Sequence, residues 1–233
     1  MKEKILFGAI ALLAGSLLAA DSNPQDAVKD AARKLGEKDN YSWTTTIDLG
    51  GDTTGTIEGK AEKGGATLLA LSAAGQEMNA VFKGGKGVLK LDDSWMLISE
   101  AATNTDQGGA PRIVARVLQA FRVPAEEAAD LAAKPKELKM ADGVYSGDLS
   151  ADAIKEMLKF GKQAAGNGLD ISGAKGSVKF WLKDGSLAKY EYSVQGTVTF
   201  KGNDRDVDLK NTVVLKDVGT TKVTVPEGAA KKL

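Results

Sequence analysis

The chain has 233 residues, 42% of them hydrophobic and 27% charged, which allows one well-developed core and at most two domains. With 31 basic and 31 acidic residues the formal net charge is zero, and no strongly basic segment stands out, so no nucleic-acid partner is expected. Neither cysteine nor histidine occurs, which excludes disulfides, thiol nucleophiles and cysteine-built zinc sites, and removes the commonest general base.

Lys2 and Lys4 form a short basic region, Ile5 to Leu18 is a nearly continuous apolar run, and Ala19 and Ala20 precede Asp21. This pattern predicts a cleaved secretory signal peptide over residues 1–20. The run is short for a membrane span, which needs about 20 apolar residues. An uncleaved N-terminal anchor is the other reading. Removing residues 1–20 takes away two Lys and one Glu, leaving 29 basic and 30 acidic residues. The remaining chain, 21–233, is expected to be one soluble, monomeric domain, periplasmic or secreted.

Asn23-Pro24 can open a helix with a polar cap and Pro in the first turn. Ala27, Val28, Ala31, Ala32 and Leu35 form its apolar stripe, and Gly36 stops it. Strand signals then recur about every ten residues. Residues 41–49 put Tyr41, Trp43, Thr45, Ile47 and Leu49 on one face, and residues 54–62 return with Gly55, Ile57, Gly59 and Ala61 facing in. Residues 66–73, 77–83, 87–91 and 94–98 continue the meander. A polar loop over 101–111 leads to a helix opened by Pro111, with the stripe Ile113, Val114, Val117, Leu118 and Phe121. Pro124 starts a shorter helix, and strands at about 136–140 and 143–147 follow. Ser150 caps a helix burying Ile154, Met157, Leu158 and Gly161, and the Gly- and Asn-rich residues 164–176 read as a flexible loop.

Residues 177–218 read as three long antiparallel strands. In the middle one Tyr190, Tyr192, Val194, Val198 and Phe200 alternate with Lys189, Glu191, Gln195, Thr197 and Thr199. That period of two marks a sheet with one buried and one wet face. At about 3.3 Å per residue the strand spans roughly 45 Å, a length that belongs to a twisted, curling sheet with something packed inside it. Pro226 begins a last helical turn. The order of elements, joined by short turns, predicts an α+β fold with one continuous antiparallel sheet and helices over its apolar face.

No motif carries catalytic chemistry. Asp204, Asp206 and Asp208 have the spacing of a calcium loop, but Leu209 stands where glycine is required and no Glu closes the loop, so they read as a solvated strand face. Gly168 to Lys175 approximates a phosphate loop but precedes a strand, which offers no helix N-terminus. No enzyme activity, metal or cofactor is expected. The small inner residues Gly55, Gly59, Ala61, Ala70, Ala73 and Gly196 leave room beneath the sheet, either for an apolar ligand or for closely packed helices. Trp181, between Lys179 and Lys183 on the wet face, reads as a partner surface or as a ring covered by its neighbours.

Gly87 to Trp95 (GVLKLDDSW), Tyr145 to Ser150 (YSGDLS) before a helix, and Val178 to Leu187 (VKFWLKDGSL), in this order of elements, resemble the LolA/LppX-like periplasmic lipid and lipoprotein carriers. Uncharacterised exported bacterial proteins are similar too. The resemblance implies an unclosed half-barrel with a helical lid over an apolar cavity. Some members carry a lipid-modified Cys, where this chain has Ala19, Ala20 and Asp21. The expectation is a curved antiparallel half-barrel, covered by helices on its concave face, that binds a lipid or other apolar small molecule. Trp43, Ile47, Ile57, Ile113, Val117, Phe121, Tyr190, Tyr192 and Phe200 are its expected lining. The alternative is a non-catalytic envelope module, with a protein partner, whose cavity is filled by its own helices.

Overall fold

The computed structural model describes residues 23–51, 54–73, 75–104, 109–158, 169–200 and 202–233. The signal peptide expected over 1–20, Gly161 and the side chain of Phe200 lie outside the described residues.

Helix α1 (Pro24–Gly36) starts where the sequence requires: Asn23 Oδ1 accepts from the Gln25 N–H at 3.0 Å, and Pro24 occupies the first turn. Its buried stripe is Val28, Ala31, Ala32 and Leu35. A six-strand meander follows: β1 (Asn40–Asp48), β2 (Thr54–Glu62), β3 (Ala66–Ala73), β4 (Gln76–Lys83), β5 (Lys86–Leu91) and β6 (Ser94–Leu97). The middle of the chain holds α2 (Ile98–Ala101), α3 (Gly109–Leu118), α4 (Pro124–Ala132), β7 (Lys139–Ala141), β8 (Val144–Asp148) and α5 (Ala151–Leu158). The long ladder is β9 (Leu169–Lys183), β10 (Ser186–Phe200) and β11 (Asn203–Lys216), and α6 (Glu227–Ala230) closes the chain.

All strands form one eleven-stranded sheet in the order β6-β5-β4-β3-β2-β1-β11-β10-β9-β8-β7, with antiparallel pairing throughout. The two meanders join where β1 pairs with β11, Trp43 opposite Leu215 and Ile47 opposite Asn211. The two outer strands, β6 and β7, do not pair with each other, so the sheet is a half-barrel rather than a closed one. Asp184 and Gly185 at the β9–β10 turn have φ of 52° and 70°, the left-handed pair that a two-residue hairpin needs to match strand twist.

Four sequence expectations are corrected. Residues 169–176 are strand, not loop, because they pair with the far half of β10; a bulge between Gln195 and Thr197 absorbs the glycine-rich stretch. Ile98 leaves the strand and opens α2. Helix α3 begins at Gly109, two residues before Pro111. Leu49 lies past the end of β1, half exposed instead of facing in.

The main core sits on the concave face. Helix α1 packs there against β10 and α4, and α5 packs against β9 and β10. A second, smaller core lies on the opposite face of the first meander, where the expected wet side is apolar: Ala66, Val81 and Val88 are buried beneath Ala229, with Leu68, Trp95, Val225 and Leu233 around them. The chain after β11 runs back over these strands. Gly219 N–H bonds Asn40 O at 2.8 Å, and Gly228 lies so close to Trp95 that a Cβ would stand 2.7 Å from Cδ1. Local alternation in β4 and β5 does not reveal that residues as distant in sequence as Ala229 will cover them.

Candidate functional site

The concave face brings together the inner residues of β1–β4 and of β9–β11 under α1, α3, α4 and α5. Its centre is filled. Trp43 is 2% exposed, and its indole occupies the place that a side chain at Gly59 would take: a Cβ there would lie 2.6 Å from Cη2 and closer still to Cε2 and Cζ2. Phe121, just past the end of α3, stacks on Trp43 at 6.4 Å and on Phe82 at 5.1 Å between centroids. At the other wall a Cβ on Gly196 would meet Leu158 Cδ1 at 3.1 Å, and one on Gly176 would meet Ile154 Cγ1 at 3.2 Å, both from α5. Of the two uses for the small inner residues, close packing holds at these three positions.

Gly55 is different. A Cβ there would touch only Ser72 O and Ala73 Cβ, atoms of the neighbouring strand, at 3.5 and 3.6 Å. Around it Ile47, Ile57, Leu71 and Met78 are each half-buried. Ile57 faces Leu71, and Leu71 faces Met78, across the ladder. On the long-strand side Val198, Val207 and Ile171 are half-buried too. The concave face is thus packed solid at one end and presents an apolar trough of incompletely covered side chains at the other. Surface hollows of about 350 Å³ (Lys83, Lys86, Val225, Leu233) and about 220 Å³ (Asp148, Lys175, Ser193, Gln195) lie away from this trough.

A polar group stands among these apolar residues. Tyr190 and Tyr192 point inward from β10, and the Tyr190 hydroxyl donates to the Glu127 carboxylate, which reaches across from the first turn of α4. Asn211 Nδ2 donates to the Tyr192 hydroxyl at 2.8 Å. Desolvation raises the Glu127 pKa from its ordinary 4.5, against the opposing pull of the two phenols and Arg122. Burial first, and then the Glu127 carboxylate, push Tyr190 and Tyr192 well above the usual tyrosine range. Tyr41, beneath the N-terminus of α4, is raised to about 12, chiefly by burial; a backbone hydrogen bond with Ala125 opposes the rise. Arg122 pairs with Asp130 at 2.8 Å on the outer side of the same helix.

The expected lining residues do not all meet. Trp43, Ile47, Ile57, Phe121, Tyr190 and Tyr192 lie on or against the concave face. Ile113 and Val117 do not: they are 60% and 61% exposed. The inward side of α3 is Val114, Ala115 and Leu118, which share one helical face opposite Ile113. Counting only large apolar residues omitted Ala115, and the stripe therefore pointed too far round the helix. Glu127 was missed as well, although a fully buried phenol at Tyr190 calls for an acceptor.

Other sequence features are solvated surface. Asp204, Asp206 and Asp208 accept from Thr199, Thr197 and Gln195 across the outer face, at 2.6, 2.8 and 3.0 Å. No group of three His, Cys, Asp or Glu able to hold a metal occurs among the described residues. Trp181 is half-buried, with Lys189 Nζ 4.2 Å from its ring centre. Met140 is exposed.

No protein-family model matches the chain, and no curated protein matches it. Among solved structures it is similar to LprF from Mycobacterium bovis (TM-score 0.44, 12% identity, covering 88% of this chain and 97% of that one). It is similar also to the Mycobacterium tuberculosis lipoprotein LppX (0.46, 11%, 87% and 98%) and to a LolA superfamily protein from Nitrosomonas europaea (0.34, 7%, 87% and 96%). LppX and the LolA superfamily are the names of the group that the order of elements resembles.

Proposed function

We propose that this protein holds the apolar chain of a lipid or similar molecule in the trough of its half-barrel, as an exported carrier and not as an enzyme. The observation that supports this reading is the band Ile47, Ile57, Leu71 and Met78, half-buried on the concave face beside Gly55. A monomer without use for such a surface would cover or polarise it. Helices α3 and α4 are the covering elements that a longer ligand would displace. Phe121 is the residue to move, because it joins the lid segment to both Trp43 and Phe82. Among the described residues no helix is long and apolar enough to cross a membrane.

The test is direct binding. Delipidated protein titrated with a fluorescent long-chain fatty acid should bind it saturably, and lipid extracts of protein purified without detergent should contain acyl chains by mass spectrometry. Absence of both results refutes the proposal.

A second reading has its own observation. The close fit of Trp43 against Gly59, and of α5 against Gly176 and Gly196, supports a module whose concave face is filled by its own residues and which acts through a protein partner in the cell envelope. Saturable lipid binding with displacement of Phe121 separates the two.

A further inference from the structure

The apolar trough is interrupted by one polar cluster whose hydrogen bonding is unbalanced. Asn211 faces inward from β11, opposite Ile47 on one side and Tyr192 on the other. It is 7% exposed, its Nδ2 donates to Tyr192, and no group among the described residues donates to its Oδ1. The Tyr190 hydroxyl donates to Glu127. With Nδ2 turned to the Tyr192 oxygen, the amide presents Oδ1 on its other side. Asn211 Oδ1, left with no partner at all, is an acceptor, and a buried acceptor without a donor costs stability. A guest that places a donor there recovers that cost. A guest that brings a carboxylate or phosphate would face Glu127, while the nearby Arg122 is already paired with Asp130.

We propose that Asn211, with Tyr192 and Glu127, is the head-group site of an amphiphilic ligand whose polar end is a neutral hydroxyl, of the monoacylglycerol class, with its chain lying along Ile47 and Ile57. This rests on the apolar-chain reading above and adds the chemistry of the head. The register makes the two halves continuous: Asn211 is directly opposite Ile47, and Ile57 is opposite Thr45, two residues back along β1.

The experiment compares three ligands with the same C18 chain, each kept below its self-association concentration: 1-monooleoylglycerol, methyl oleate and oleate. Affinities are measured by equilibrium dialysis against delipidated full-length protein at neutral pH. The hydroxyl ligand should bind about tenfold tighter than the methyl ester, the size expected for one buried acceptor satisfied, and oleate should bind more weakly than the monoacylglycerol. Asn211→Leu should remove the preference for the monoacylglycerol over methyl oleate, and Tyr192→Phe should reduce it. Methyl oleate or oleate binding as tightly as the monoacylglycerol overturns the head-group assignment and leaves the apolar trough standing. So does a preference that survives Asn211→Leu. Failure of all three ligands to bind overturns both. Should Asn211→Leu fail to fold, the three-ligand comparison on the parent protein decides alone.

Discussion

Gly59→Ala tests whether the centre of the half-barrel is as tightly filled as the structure requires. The added Cβ would stand 2.6 Å from Trp43 Cη2 and closer to Cε2 and Cζ2, where unstrained carbon contacts lie near 3.5–4.0 Å. The indole cannot retreat freely, since it stacks on Phe121 at 6.4 Å and leans on Tyr41 at 5.7 Å. Overpacking of this kind costs about 1–3 kcal/mol, and the rigidity of the buried indole places this case at the upper end, about 3 kcal/mol. With a urea m-value of about 2–3 kcal/mol/M, the midpoint should fall by about 1–1.5 M. Tryptophan fluorescence follows the same transition. The double variant Gly59→Ala/Trp43→Leu should lose at least about 1 kcal/mol less than the sum of the single losses, because the methyl group enters space that the indole vacated. A Gly59→Ala protein within about 0.5 kcal/mol of the parent, or strict additivity in the double variant, would refute the packing argument.

Three other outcomes are expected. Ile113→Ser and Val117→Ser should each change stability by no more than about 0.5 kcal/mol in thermal melts, whereas Leu118→Ala on the inward side of α3 should cost about 2–4 kcal/mol. Glu127 has a folded-state pKa above its ordinary 4.5, so the folded protein holds this proton more tightly than the unfolded chain. Its contribution to stability is therefore fully present below about pH 4.5 and is lost as pH rises through the folded value. Glu127→Gln should remove that downward slope, so Tm measured from pH 4 to 8 should fall less steeply with rising pH in the variant than in the parent; parallel profiles would contradict this assignment. Ala229→Asp places a charge in the small core beneath the returning C-terminal segment and should release it, seen as protease cleavage within residues 218–233 and increased binding of an apolar dye.

Features governed by neighbouring residues were legible in the sequence. The Asn23-Pro24 helix start, the Asp184-Gly185 hairpin and the inward face of Tyr190, Tyr192 and Val194 follow from capping, turn chemistry and period-two alternation. Features governed by distant partners were not. Nothing local says that β1 pairs with β11, because the two strands are separated by most of the chain. The outer apolar strip of Val81 and Val88 reads as part of a meander until the returning Ala229 is seen above it. Residues 169–176 resemble a loop by composition, and pairing with β10 overrides that preference. The site was legible in its aromatic and aliphatic wall. The polar cluster was not, because Glu127 is, in sequence, an ordinary acidic residue in the first turn of a helix.

The measurement closest to the central claim is photo-crosslinking with a long-chain alkyl probe carrying a diazirine near the chain end, followed by peptide mapping. Saturable labelling of peptides containing Ile57, Leu71 or Met78, suppressed by excess unlabelled lipid, is the expected result. Labelling confined to the outer hollow at Val225 and Leu233, or labelling that does not saturate, would contradict a ligand held in the half-barrel.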